Sequence, residues 1–394
     1  MTRERTNFYQ YVAQTSPAPV GLEIEWAEGV YLFDTSGKKY LDLISGIAVS
    51  NLGHQHPIVI SAIESQLKKH MHLMVYGEFI QSPQTELAAA LNSYLPKQLN
   101  NIYFTNSGAE AVEGAMKLAK RFTGKTQFVS FRNAYHGSTQ GALSICGNEM
   151  LKNSFRPLLP GCSIHEYNSL SEIEHIDESC AGVIVEPIQG EAGVIIPEKG
   201  FLEALRKRCD ETGALLIFDE IQTGFGRTGK LFAFEHSGVI PDILLLGKSF
   251  GGGLPLAAFI SSKEKMCSLT YDPVLGHIST FGGHPLSCAA AYASLNVIAD
   301  SDLLKNVIRK GELFCSLLKH DDIRSIRGLG LFIALEFENE RINQEVIKRC
   351  LDKGVITDWF LFAPNCLRIA PPLIIRDEEI TFACSTILEA INSI

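Results

Sequence analysis

Between about residue 55 and residue 285 the chain repeats one texture: a short unbroken apolar run, a loop rich in glycine or polar residues, then a stretch of helical periodicity. The runs fall at residues 102–105, 127–131, 182–185, 214–218, 242–247 and 254–260. Helical segments are expected at 108–122, closed by Gly124, and at 201–212. A strand covered on one face alternates apolar with polar residues. A run that is apolar throughout must be covered on both faces, the situation of a parallel sheet between two helical layers. The fold class is therefore α/β, with a mostly parallel sheet covered by helices.

The flanks read differently. Residues 30–33 and 40–43 bracket a polar turn and predict a hairpin. After Pro285 comes an alanine-rich helix, 287–298, then helices mixed with short strands such as 329–337 and 366–370. A chain of 394 residues exceeds what one core usually supports. The simplest partition is a large α/β domain over 55–285 and a smaller α+β domain built from 1–54 and 286–394. The net charge of −9 provides no basic footprint for nucleic acid or an anionic membrane. No apolar run approaches membrane-spanning length, and the first residues lead into no apolar signal region. Ten scattered cysteines without a CxxC pair suit reduced thiols, so a cytoplasmic location is expected.

In an open α/β sheet, ligands bind beyond the carboxyl ends of the strands. Lys248 stands at such an end, where desolvation disfavours its charged form and makes a nucleophilic amine. Asp219 ends another apolar run 29 residues earlier. A strand-end lysine with a strand-end aspartate suggests pyridoxal phosphate, the lysine forming the Schiff base and the carboxylate keeping the ring nitrogen protonated. Ile221 would then pack on a ring face and Gln222 reach the ring hydroxyl. The alternative for Asp219 is a strand-end cap for the turn that follows.

Three more loops carry distinctive residues. Ser107, Gly108 and Ala109 open a helix whose free N–H groups suit a phosphate, although Ser-Gly is also an ordinary helix cap. Tyr135, followed by His136, is placed to stack on a conjugated ring or to be a half-buried loop tyrosine. Glu186 and Glu191 sit among glycines, as buried acids needing partners or as solvated turn acids. His54 and His56 have metal-like spacing, but no acid or cysteine cluster completes a site, so no metal is expected. Arg368 alternates to the face opposite its apolar neighbours, and a lone strand arginine is usually solvated. The glycine trio 251–253 has neither the spacing nor the position of a dinucleotide fingerprint, and no Walker motif is present.

Together these loops resemble the class III (ω-type) pyridoxal phosphate aminotransferases, the ornithine, acetylornithine, 4-aminobutyrate and diaminopelargonate group. The likeness runs from Gly53-His54-Gln55-His56-Pro57 to Leu367-Arg368-Ile369-Ala370-Pro371-Pro372, and the segment 217–259 is its most specific part. It implies fold type I of the pyridoxal phosphate enzymes and ping-pong transfer of an amino group from an amino acid or ω-amine to a 2-oxo acid. It further implies Lys248 as the Schiff-base lysine, Asp219 at the pyridine nitrogen, and Ser107, Gly108 and Ala109 as the phosphate cup. Tyr135 stacks and Gln222 reaches the ring oxygen, with His136, Glu186 and Ile221 lining the same cofactor. Thr280 reaches the phosphate of the neighbouring subunit, which implies a homodimer. Arg368 grips the substrate carboxylate, and Glu191 neutralises that arginine when another substrate is bound.

One departure stands out. The ornithine, acetylornithine and 4-aminobutyrate enzymes read His/Trp-Gly-Arg after the stacking aromatic, and this chain reads His136-Gly137-Ser138. A serine has no guanidinium fork for a second carboxylate, which weighs against acetylornithine as donor and 2-oxoglutarate as preferred acceptor. Ile47 stands where ornithine enzymes carry a tyrosine. The alternative on the same fold is a racemase, aminomutase or decarboxylase; a cofactor-holding protein without turnover is a third reading.

Overall fold

The structure is a computed structural model that describes residues 2–299 and 301–394. Among these residues the chain forms three sheets. An N-terminal meander contains β1 (Ile24–Glu28), β2 (Tyr31–Asp34) and β3 (Lys39–Asp42). The central sheet contains β4 (Asn101–Thr105), β5 (Gln127–Phe131), β6 (Cys162–His165), β7 (Cys180–Val185), β8 (Leu215–Asp219), β9 (Ile243–Leu246) and β10 (Ala257–Ser261). Its strand order is β4-β10-β9-β8-β7-β5-β6. The C-terminal part adds β11 (Ser325–Leu329), β12 (Phe332–Glu336), β13 (Val355–Ile356), β14 (Asp358–Phe360) and β15 (Ala363–Ile369). Four of these form a sheet ordered β11-β12-β15-β14, while β13 crosses back to pair with β3 in parallel.

The unbroken apolar runs are explained by cover on both faces. Leu216 and Phe218 of β8 point into a core shared with Phe201, Leu205 and Leu244, whereas Leu215 and Ile217 point into the opposite core with Val112, Leu118 and Phe259. Successive side chains of a strand face opposite ways, so both registers of β8 have to be apolar.

One expectation needs correction. The run at 254–260 does not continue the parallel series: β10 is antiparallel to both β9 and β4. A parallel return would need a crossover of a dozen or more residues. The chain instead turns back through a 3₁₀ turn, Lys248–Gly251, ended by Gly252 (φ 60°) and Gly253 (φ 96°). The helix Pro285–Ile298 packs on the helices Pro57–Leu67 and Ser82–Tyr94 and shares a core with Leu244 and Leu246. It is apolar around most of its circumference, as a helix buried on several sides must be. The run at 329–337 proves to be parts of a hairpin, β11 and β12, turning at Gly330 (φ 61°).

Candidate active site

Because β4, β5, β7, β8 and β9 run the same way, their carboxyl ends lie along one edge of the sheet. That edge carries the loops singled out above. Lys248 follows β9 with φ +49°, a left-handed conformation uncommon for a non-glycine residue and frequent at functional sites. It remains partly exposed. Burial pushes its pKa below the ordinary lysine value, and the Arg368 charge adds to this, against opposition from Glu191, Asp219 and Glu186.

Asp219 ends β8 and is buried. Its Oδ1 accepts from the Ile221 N–H at 3.0 Å, and its Oδ2 lies 2.7 Å from His136 Nδ1. His136 Nε2 in turn lies 3.1 Å from Ser130 Oγ on β5. The carboxylate is thus fixed in direction by two neighbouring loops. Ile221 covers two glycines: a Cβ on Gly108 would come within 2.8 Å of Ile221 Cδ1, and one on Gly247 within 3.1 Å of Ile221 Cγ2.

Ser107 caps the helix Gly108–Thr123, its Oγ accepting from Glu110 N–H at 3.3 Å. The N–H groups of Gly108 and Ala109 precede the first intrahelical bonds, leaving an N-terminus able to receive an anion. Gly137 (φ +132°) lies so close that a Cβ there would meet Ala109 Cβ at 2.7 Å. Tyr135 is half-buried, with its hydroxyl 3.1 Å from Ser138 Oγ. Glu186 accepts from Gly190 N–H at 3.1 Å and Tyr135 N–H at 3.4 Å. Burial, reinforced by the Asp219 charge, pushes Glu186 well above the carboxylate range.

Arg368 is not solvated. It is 2% exposed on β15 and holds Glu191 in a two-pronged pair, both Nη–Oε distances being 3.0 Å. Trp359 O accepts from Nη2 at 3.0 Å, and the guanidinium sits 4.4 Å above the Phe360 ring. Burial pushes Glu191 up, but the charge and hydrogen bonds of Arg368, with the charge of Lys248, outweigh it and leave its pKa below the usual value. Gln222 Nε2 donates to Glu191 Oε1 at 3.5 Å, linking this pair to the Asp219 loop. Thr280 is exposed on a single chain; its neighbour Ser279 accepts from Asn106 Nδ2 at 3.0 Å.

Sequence reasoning missed Asp358, which faces Arg368 across the β14–β15 pair with Oδ1 2.9 Å from Nε. Burial raises Asp358 to about 6, with Glu191 adding and Arg368 opposing. Its only signal was one polar residue in a short strand. Also missed were the fully buried Arg227 and, beside Lys248, the buried Ser249 Oγ, which has no hydrogen-bond partner among the described residues. His54 is bound to Asp42, Nε2 to Oδ2 at 3.0 Å.

This donor set fits pyridoxal phosphate. It offers a partly exposed amine with a lowered pKa, a carboxylate held from behind, an anion-accepting helix end, an aromatic ring, and glycines where side chains would fill the cradle.

The comparisons agree. Residues 11–391 match the family model for class III aminotransferases. An acetylornithine aminotransferase from Methanopyrus kandleri is 41% identical over 93% of this chain and 93% of its own. Ornithine aminotransferase from Toxoplasma gondii superposes with a TM-score of 0.91 at 32% identity, over 98% of this chain and 94% of that one. A second structure of that enzyme has pyridoxal phosphate at partial occupancy in its active site. Adenosylmethionine-8-amino-7-oxononanoate aminotransferase from Methanocaldococcus jannaschii gives 0.92 at 31% identity, over 99% and 98%. The chain belongs to the class III aminotransferases, pyridoxal phosphate-dependent enzymes that move an amino group from an amine donor to a 2-oxo acid.

Proposed function

We propose that Lys248 is the residue that holds the cofactor's aldehyde carbon and, once released, the base of the reaction. Pyridoxal phosphate supplies the aldehyde that captures the donor's amine and a cationic ring that withdraws electrons from the donor's Cα. The chain's residues supply the rest. Lys248 Nζ, disposed by burial to be uncharged, takes the proton from the donor Cα. Asp219 keeps a proton on the ring nitrogen, and His136 orients the carboxylate that does so. The N–H groups of Gly108 and Ala109, with Ser107, bind the phosphate. Tyr135 and Ile221 would lie against the cofactor's ring, and Gln222 would serve its ring oxygen. Glu186 supports the Tyr135 loop.

Arg368 binds a substrate carboxylate after Glu191 gives way, so two unlike substrates share one site in turn, as ping-pong kinetics require. The active form is a homodimer in which Thr280 completes the neighbour's phosphate site, and the enzyme works in the cytoplasm. The cofactor-holding domain is 55–285 with the helix Pro285–Ile298 added; the small domain takes the remaining residues of both termini. With Ser138 in place of an arginine, the donor is an amine whose single carboxylate is read by Arg368.

The observation that carries this reading is the convergence of Lys248, Asp219 and the Arg368–Glu191 pair at the strand ends. Lys248→Ala tests it by stopped-flow absorbance across an amine panel. The half-reaction rate should fall by about 10⁴ or more, in the range seen when a nucleophile or base acting as part of a unit is deleted. A wild-type rate in that variant removes Lys248 from the chemistry.

A further inference from the structure

Arg227 is among the largest fully buried side chains of the described residues, at 0% exposure, and no carboxylate among those residues is in contact with its charge. Such a burial is costly, and an apolar residue of similar volume often stabilises as well or better. The guanidinium instead serves four neutral acceptors. Nη1 donates to Leu331 O at 2.9 Å and Pro371 O at 2.6 Å. Nη2 donates to Ser45 Oγ at 3.2 Å and, very closely, to Asn51 Oδ1. These acceptors come from both termini of the chain, whereas Arg227 itself follows the Asp219 strand. Gly330 permits the approach, since a Cβ there would meet Arg227 O at 2.9 Å.

Two of these spokes lead to the site. Pro371 lies three residues beyond Arg368. Ser45 opens a left-handed turn in which Ser45, Gly46, Ile47 and Ala48 all have positive φ (43°, 63°, 64° and 60°). Such a conformation is a genuine outlier for a β-branched residue such as Ile47, and it persists only where the surroundings over-determine it. Here Asp42 Oδ1 accepts from the Ile44 and Ser45 N–H groups at 2.9 and 2.8 Å, and Ser45 Oγ donates to Ala370 O at 2.6 Å. The strained turn packs against Lys248–Gly251.

We infer that Arg227 is a positioning residue for the transamination: its guanidinium fixes the strained turn against the Lys248 segment and, through Pro371, the strand end that carries Arg368, so that amine and carboxylate grip keep a set separation. The inference rests on the roles assigned above to Lys248 and Arg368. A lysine cannot replace it, because one ammonium does not span four acceptors lying on two sides of a planar fork.

The test uses the full-length protein with Arg227→Lys and Ser45→Ala, the latter removing one spoke and so remaining foldable if the former is not. Pyruvate and 2-oxoglutarate are the probes, added to pyridoxamine phosphate-loaded enzyme in single turnovers, with hydrogen exchange read on peptides covering residues 43–52. Exchange in 43–52 should rise in both variants while β8 and β9 stay protected. The apparent dissociation constant for the oxo acid should rise about tenfold or more in Arg227→Lys and less in Ser45→Ala, since loss of one well-aligned charged hydrogen bond from Arg368 to the carboxylate costs about that factor. A lowered melting temperature with unchanged exchange in 43–52, or with affinity per loaded site unchanged within about twofold, would overturn the inference. Loss of the underlying reading looks different: the wild-type protein itself then fails to react with either oxo acid, and the exchange result still decides whether Arg227 holds the turn.

Discussion

Replacing Glu191 by glutamine removes one charge and keeps the side chain's shape. In the native site the carboxylate accepts from both Nη groups of Arg368 at 3.0 Å and from Leu361 N–H at 3.0 Å, with both residues under 5% exposed. The amide keeps one acceptor and turns a donor towards a guanidinium that can only donate. Breaking a buried pair from one side costs about 3–5 kcal/mol. Arg368 still has Asp358 and Trp359 O, so the loss should lie near about 3 kcal/mol, read as a lower denaturation midpoint of the apo protein. Glu191 has a lowered pKa, so its contribution is present above the carboxylate range and disappears as pH falls through it; the difference between wild type and variant should shrink accordingly.

Function moves the other way. A ligand carboxylate no longer competes with Glu191 for Arg368, and a charged hydrogen bond of about 1.5–3 kcal/mol is freed for it. Glutarate should bind about tenfold tighter or more by calorimetry. Glu191 is also the strongest charge opposing the depression of Lys248. Without it the amine loses its proton more readily, so the acid limb of the donor half-reaction should shift to lower pH. Unchanged stability together with weaker glutarate binding would refute the lock.

Other outcomes follow from the same geometry. Burial raises buried Glu220 to about 8, against hydrogen bonds from Ala233 and Phe234 N–H. A raised carboxylate favours the fold below its unfolded pKa and loses that advantage as pH climbs towards about 8, by about 1.4 kcal/mol per unit. The stability difference between wild type and Glu220→Gln should therefore fall between pH 5 and 8 in urea titrations, and a rise would contradict the assignment. Gly108→Ala drives a methyl to 2.8 Å from Ile221 Cδ1 and should cost about 1–3 kcal/mol. Ile221→Val removes that atom, so the double variant should lose less than the sum of the two single losses; strict additivity means the residues do not touch.

Strand ends were legible because a buried strand leaves few places for a charge. Lys248 and Asp219 each interrupt an apolar run, and no distant partner was needed to notice them. Pairings were not legible: Arg368 meets Glu191 across 177 residues and His136 meets Asp219 across 83, and only the assembled sheets create those contacts. Arg368 looked solvated because alternation tells which face a residue takes, not what covers that face. The reversal of β10 was encoded in a connection too short for a crossover, a length cue that apolar content conceals. Arg227 gave no periodic signal at all, since its acceptors are carbonyl and side-chain oxygens that any sequence could supply.

Everything assigned to the site depends on a bond between one amine and the cofactor's aldehyde. Borohydride reduction of the pyridoxal phosphate-loaded protein, followed by peptide mass mapping, tests this most directly. One adduct on the peptide containing Lys248 is expected, and it should be absent from Lys248→Ala. An adduct on another lysine, or none from a fully loaded protein, would contradict the account.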